Sequence, residues 1–210
     1  LTDYRGVIFT SKSDKLFLAG ADLYEVDKIL KQKDVDLARE IIRNGQDTFT
    51  RIQNLRVPTV AAIHGACLGG GYELALACDY RVASTGKETK IGLPEVTLGI
   101  LPAWGGCTRL VPVVGLQEAL TAILTGKLYA AKPALKAGLV TKTCHKENII
   151  ATAIKLINDS PAKKVPSSWM PSSIVFNVAK KTALSKTKGN YPAPLKIIDV
   201  IRQSISTTQT

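Results

Sequence analysis

Two carboxylates stand in stretches where a charge is costly: Glu73 in the apolar run ELALA, and Glu95 in IGLPEVTLGILPAWGG. A lone ionised carboxylate taken out of water carries a heavy desolvation penalty. Two that share one pocket push at least one pKa upward, by burial and by mutual repulsion, which suits general acid and base work near neutral pH. The other arrangement open to them is separate ion pairing, each with an arginine such as Arg81 or Arg109. Shortly before Glu73 lie three consecutive glycines, Gly69, Gly70 and Gly71. Without a Cβ, backbone can come close to a ligand, and a helix that starts there offers unpaired N–H groups and the positive end of its dipole. A carbonyl oxygen that turns negative during reaction gains about 3 to 4 kcal/mol from each such donor in a dry site. The same glycines also suit a tight, closely packed strand-to-helix turn, so the turn alone does not choose between the two.

The elements that must position these groups follow from periodicity. RGVIFTS, residues 5–11, reads as a buried strand. SKSDKLFLAGA reads as a loop, after which Asp22 with Glu25 three positions on predicts the capped start of a short helix. Over residues 35–55, apolar residues at Val35, Ala38, Ile41, Ile42, Phe49, Ile52 and Leu55 predict one helical face. Val57-Pro58 closes it. TVAAIHGAC reads as one buried strand, GGGYELALA as the turn into a helix, and DYRVAST as the next strand. Short extended pieces broken by Gly and Pro come next, then helical segments at 116–125, 133–137 and 146–158, with LVTKTC a further strand. Alternating strands and helices argue for an α/β fold with parallel crossovers. From Ser160, SPAKKVPSSWMPSS reads as a linker, followed by a helix near 172–187 and then KGNYPAPLKIIDVIRQ.

With 210 residues, 45% of them hydrophobic, the chain can bury one sizeable core, which excludes the disordered class. It has no run of about 18 apolar residues, and LTDYRGVIF lacks the order of a signal peptide. The expectation is a soluble intracellular protein without a transmembrane segment. Cys67, Cys78, Cys107 and Cys144 are widely spaced with no CxxC pair, so they are expected as reduced, mostly buried thiols and not as a zinc or disulfide framework. The net charge of +11 is uneven: residues 127–210 carry 14 Lys and Arg against only Glu147, Asp159 and Asp199. Such a field attracts polyanions. Of the two histidines, His64 is expected as a hydrogen-bonded packing residue behind the glycine turn and His145 as exposed. Tyr72 is expected to pack.

Four blocks then stand in order: FLAGADL at 17–23, AAIHGACLGGGYELALACDYRVA at 61–83, IGLPEVTLGILPAWGGCTRL at 91–110 and LTGKLYAAKPALKAGLV at 124–140. Together they resemble the enoyl-CoA hydratase/isomerase (crotonase) family. The later AKKTALSKTKGNYPAPLKIIDVI resembles the segment that, in multifunctional fatty-acid oxidation alpha subunits, links the hydratase domain to a 3-hydroxyacyl-CoA dehydrogenase. The resemblance implies an α/β, crotonase-like (ClpP/crotonase) spiral of ββα repeats, N-terminally truncated, with a helical C-terminal extension. Residues 1–160 would be the hydratase/isomerase core lacking its first repeat. Residues 161–210 would be a basic linker and helical extension toward an absent dehydrogenase domain.

By the same resemblance, the backbone amides of Ala21 and Gly70 would hold the thioester oxygen, and Glu73 and Glu95 would flank the water that adds to a trans-2-enoyl-CoA. Lys15, Leu16, Ala19, Asp22, Gly69 and Trp104 would contact substrate; for Trp104, a core or loop-anchoring role is the alternative. No metal is implied, and no cofactor in this chain beyond the CoA of the substrate. NAD would belong to the missing dehydrogenase, since no GxGxxG follows a strand here. Implied partners are an acyl-CoA thioester and either further copies of the chain or a thiolase beta subunit. The implied setting is bacterial cytoplasm, or a mitochondrion or peroxisome in a eukaryote. A pure isomerase, a thioester hydrolase and a non-catalytic RNA-binding or assembly fragment are the alternatives. Both glutamates favour hydration, and a tail sparse in aromatics, with no recognisable RNA module, speaks against nucleic acid. Ala103 stands where the family usually has glycine and Cys107 where threonine is common, which bears on the acyl pocket.

Overall fold

Strands alternate between two sheets in the computed structural model, which describes residues 4–162, 166 and 170–207. The chain enters through β1 (Val7–Phe9), crosses to β2 (Leu16–Leu18) and continues into α1 (Leu23–Gln32) and α2 (Val35–Gln53). A second turn repeats the pattern with β3 (Thr59–Ile63), β4 (Ala66–Leu68) and α3 (Gly70–Ala77). The third begins with β5 (Tyr80–Ser84) and β6 (Lys90–Gly92), followed by a 3₁₀ turn at Glu95–Leu98. Four helices follow, α4 (Gly106–Arg109), α5 (Val111–Val114), α6 (Leu116–Thr125) and α7 (Ala131–Lys136). β7 (Lys142–Cys144) leads through a second 3₁₀ turn, Lys146–Asn148, into α8 (Ile149–Asp159), and α9 (Ser172–Thr187) and α10 (Ala193–Thr207) complete the described chain.

The odd strands form one parallel sheet, ordered β1-β3-β5-β7, and the even strands another, ordered β2-β4-β6. Each ββα turn therefore adds one strand to each sheet, which is the spiral the sequence blocks imply. Two readings of the sequence change. The stretch taken as a loop at residues 11–21 contains β2, a three-residue strand hidden because Leu16 and Leu18 are exposed and only Phe17 is buried. TVAAIHGAC is two strands in different sheets, broken at His64-Gly65. Gly65 has φ +79°, and a Cβ there would run into the main chain of Lys15. The bend that carries the chain from one sheet to the other thus needs a residue without a side chain.

β3 is buried along its whole length, as expected of a parallel strand covered on both faces. Val60 and Ala62 face Ile149, Ala153 and Leu156 of α8, while Ala61 and Ile63 enter the main core with Tyr72, Leu76 and Ile91. α9 and α10 join that same core through Val175, Phe176, Ile197, Ile198 and Ile201. Within the Pro- and Ser-rich stretch read as a linker, residues 163–165 and 167–169 lie outside the described residues.

Asp22 caps α1 as expected, while Glu25, the other half of the expected pair, lies 3.9 Å from Lys28; Asp34 caps α2, which the sequence reading did not name. Asp22 Oδ1 accepts the Tyr24 amide at 2.8 Å, and Asp34 Oδ1 accepts the Leu37 amide at 2.9 Å. The apolar face of α2, however, is covered mainly at its C-terminal end. Phe49 is buried and Ile52 half-buried, while Val35, Ile41 and Ile42 are exposed.

Gly65→Ala is expected to destabilise the fold by about 3 kcal/mol or more, because a left-handed conformation and a main-chain collision coincide. Gly189→Ala, also at positive φ (+78°) but with nothing within 4 Å of the added methyl, is expected to cost about 1 kcal/mol. Urea denaturation midpoints of the two variants measure the difference.

Candidate active site

The site is organised around α3, whose two ends are held differently. At the C-terminal end the buried Arg81 donates from Nη1 to the carbonyls of Ala75 (3.2 Å) and Cys78 (2.9 Å), and from Nε to Leu139 O (3.2 Å). A cation there meets the negative end of the helix dipole. Tyr72 Oη donates to the same Leu139 carbonyl at 2.8 Å. Arg81 therefore anchors the helix and pairs with neither carboxylate.

At the other end is the glycine turn. Gly69, at φ +55°, donates its amide to Gly92 O (3.0 Å), and its carbonyl accepts the amides of Tyr72 (2.8 Å) and Glu73 (2.9 Å). Gly70 is the first helical residue, so its N–H has no acceptor within the helix. A Cβ on Gly20 would stand 2.9 Å from that nitrogen, and a Cβ on Gly71 would strike the Leu18 carbonyl. The segment carrying Ala19, Gly20 and Ala21 thus lies backbone to backbone on the glycine turn.

Glu73 and Glu95 converge on this turn, with only 2% and 9% of their surfaces exposed. Glu73 Oε1 accepts the Gly106 amide at the start of α4, at 2.7 Å. Glu95 Oε1 is the atom nearest a Cβ built on Gly69, at 3.2 Å, and its Oε2 is buried with no hydrogen-bond partner. Burial pushes the Glu73 carboxyl from an ordinary 4.5 to about 7, against the amides of Gly106 and Trp104 and the charge of Arg109, which pull it down. Burial likewise pushes Glu95 to about 7; its own amide opposes this and the Glu73 charge adds to it. Cys107, buried beside them, has its thiol pKa driven well up by burial and then by both carboxylates.

Ion pairing with Arg81 or Arg109, the alternative open from the sequence, does not occur: both arginines bond elsewhere. Arg109 donates to Trp104 O (2.7 Å), Gln53 Oε1 (2.8 Å) and Thr50 Oγ1 (3.0 Å). It touches the carboxylates only through the longer-range field that links it to Glu73. Trp104 is half-buried between α2 and α3, edge-to-face with Phe49 at 5.8 Å. His64 Nδ1 is 2.7 Å from Ser84 Oγ, which is 2.7 Å from Thr89 Oγ1. It is a packing residue behind the turn, and His145 is exposed.

The structure therefore brings together Glu73, Glu95, Gly69, Gly70, Trp104 and the 19–21 segment. Lys15, just ahead of β2, and Leu16, its first residue, are exposed, with the Lys15 carbonyl accepting the Ala66 amide at 2.9 Å. Asp22 is exposed and caps α1. Three contributors escaped the sequence reading. Gly106 supplies the amide that fixes Glu73, and Gly105-Gly106 before a helix repeats the glycine-turn signal. Gly45, a glycine inside a helical pattern, receives the Trp104 ring. Tyr191 donates to Val96 O at 2.7 Å and steadies the turn bearing Glu95, a contact across 95 positions that no local pattern announces.

A spiral of two parallel sheets with a glycine turn facing paired carboxylates defines the class, and comparison with known proteins agrees. A family model described as Enoyl-CoA hydratase/isomerase matches residues 2–183. The chain belongs to the enoyl-CoA hydratase/isomerase family. It is 44% identical over 213 residues to the fatty acid oxidation complex subunit alpha of Shewanella loihica, covering 96% of this chain and 30% of that protein. The same subunit of Idiomarina loihiensis is 43% identical over 216 residues, with the same two coverages. The chain thus spans 30% of the length of these relatives. Among solved structures, enoyl-CoA hydratase from Bacillus anthracis matches with a TM-score of 0.69 at 29% identity, over 99% of this chain and 75% of that one. DspI of Pseudomonas aeruginosa matches at 0.68 and 27% identity, over 99% and 78%.

The raised carboxyl pKa values carry a sign that can be tested. Between an unfolded value near 4.5 and a folded value near 7, the folded protein holds more protons than the unfolded chain. Stability should fall as pH rises through that window and level off above it. Glu73→Gln and Glu95→Gln, which remove the effect, should gain on the parent between pH 5 and pH 8 by up to about 3 kcal/mol each. Urea midpoints at the two pH values read this out, and a parent-to-variant difference that ignores pH would contradict the shared buried pocket.

Proposed function

We propose that this chain hydrates trans-2-enoyl-CoA thioesters to 3-hydroxyacyl-CoA, as a step of fatty-acid oxidation. The observation that supports this reading most is the pair of buried carboxylates beside the glycine turn, with no cation among the described residues bonded to either and one oxygen, Glu95 Oε2, without a partner among them. A conjugated thioester accepts water at C3 only if electron density can move onto its carbonyl oxygen. In the proposed complex the amides of Gly70 and Ala21 receive that oxygen, one at the open helix start and the other in the segment laid against it. Glu73, whose Oε1 is held by the Gly106 amide, is the better carboxylate to stay ionised, since that bond favours the charged form. It takes a proton from the water as the oxygen bonds to C3. Glu95, buried and facing the Glu73 charge, is the better one to hold a proton and deliver it to C2 as the enolate collapses.

Water is consumed and no electrons are gained or lost, so the reaction itself calls for neither metal nor redox cofactor. Lys15, exposed at the start of the oxyanion segment, is assigned to a phosphate of CoA, with Leu16, Ala19, Asp22, Gly69 and Trp104 along the substrate path. The relatives' names describe alpha subunits of a complex. A bacterial cytoplasmic setting, a thiolase beta subunit as partner and an NAD-dependent dehydrogenase elsewhere in the protein belong to the same reading. An isomerase moving the double bond through Glu95 alone is the second reading. The positioning of Glu73 by Gly106 favours hydration over it.

With crotonyl-CoA, the conjugated enoyl absorbance is expected to decline in the presence of the protein. Glu73→Gln and Glu95→Gln should each lower kcat by about 100-fold or more, within the usual range for positioned acid–base groups, while near-UV circular dichroism stays that of the parent. Full turnover in both variants would refute the assigned roles. Loss in Glu95→Gln alone, together with conversion of a 3-enoyl-CoA, would favour the isomerase.

A further inference from the structure

We propose that Trp104 sets the upper limit on acyl chain length in this protein. Its indole closes the pocket just beyond the reacting carbons, so that short acyl thioesters fit and long ones do not. The inference rests on the reading that an acyl-CoA thioester occupies the glycine turn.

The ring bridges two backbones. A Cβ on Gly70 would stand 2.6 Å from Cζ3 and 2.7 Å from Cε3 of the indole; a Cβ on Gly45 would stand 2.7 Å from Cε2 and nearer still to the pyrrole edge. The indole therefore fills the space from α2 to α3, with its benzo edge on the residue whose amide is assigned to the thioester oxygen. A carbon chain leaving a thioester seated at Gly70 meets this ring within its first few atoms. Glycine inside a helix weakens it, and the seat for the indole is the reason the structure offers for Gly45.

The ring is also held in place. Phe49 meets it edge-to-face. Gln46 Nε2 donates to Ala103 O at 2.7 Å, and Arg109 spans from the Trp104 carbonyl to Thr50 and Gln53 on α2. Swinging the indole aside would require α2 and the 103–109 segment to part. That makes the limit a built feature of the pocket and not a matter of one free rotamer.

The test is binding of saturated thioesters, which cannot be hydrated, by titration calorimetry on the parent protein, Trp104→Ala and Gly45→Ala. The parent should bind butanoyl-CoA more tightly than decanoyl-CoA. Trp104→Ala should raise the affinity for decanoyl-CoA relative to butanoyl-CoA by about tenfold or more, the scale of discrimination seen for methylenes in apolar pockets. Gly45→Ala, whose methyl displaces the ring toward the pocket, should weaken both ligands and decanoyl-CoA most. Should Trp104→Ala not fold, Trp104→Leu provides the opened pocket. A parent that prefers decanoyl-CoA, or a ratio unmoved by the folded variant, would overturn the proposal. Because binding is read separately from turnover, expected selectivity without hydration of crotonyl-CoA would sink only the hydratase reading. Binding of neither thioester would sink both.

Discussion

The site depends on two carboxylates sharing a buried pocket with, among the described residues, no cation bonded to either. Paired with an arginine, each would be held in its ionised form and neither could exchange protons near neutrality. Left with the amides of Gly106 and Trp104 on Glu73 and one buried oxygen of Glu95 without a partner, the pair has both carboxyl pKa values raised toward neutrality. Everything nearby serves to keep that arrangement from relaxing. Arg81 is turned to the far end of α3 and occupied by three carbonyls. Arg109 is likewise committed to α2 and to the Trp104 carbonyl.

This arrangement explains why α3 is so short and so apolar. It has little to gain from exposed polar pairs, being buried at seven of its eight positions. What it provides is a direction: a helix start aimed at the site and a carboxylate one turn inside it. Gly70 and Gly71 let β2 and its following segment lie directly on that start. A side chain at either glycine would force the two backbones apart and, with them, the amides proposed to share one oxygen.

Much of this was legible locally. Glu73 and Glu95 announce themselves as charges in apolar runs, and the triple glycine marks a strand-to-helix turn, because desolvation and steric freedom are properties of short stretches. The residue roles came from the resemblance of four blocks and not from spacing. The division of strands between two sheets was not legible, since TVAAIHGAC reads as one continuous buried strand until the main chain of Lys15 is seen lying against Gly65. The apolar stripe of α2 correctly predicted a helix, yet it overstated burial: amphipathicity fixes which face can be covered, and only packing decides how far along it is. Whether the carboxylates met each other or two arginines was open from spacing alone, because it depends on where Arg81 and Arg109 find carbonyls.

The contact between Tyr191 and the Val96 carbonyl links the last helices to the chemistry in an unexpected way. The hydroxyl reaches from the segment ahead of α10 to the very turn that presents Glu95, and Ile197, Ile198 and Ile201 tie α10 into the shared core. Residues that the resemblance marks as a connecting segment therefore form an outer brace of the turn that bears Glu95. The turn that presents Glu95 is thus held from two sides, by the core beneath it and by a hydroxyl that arrives from the chain's helical extension.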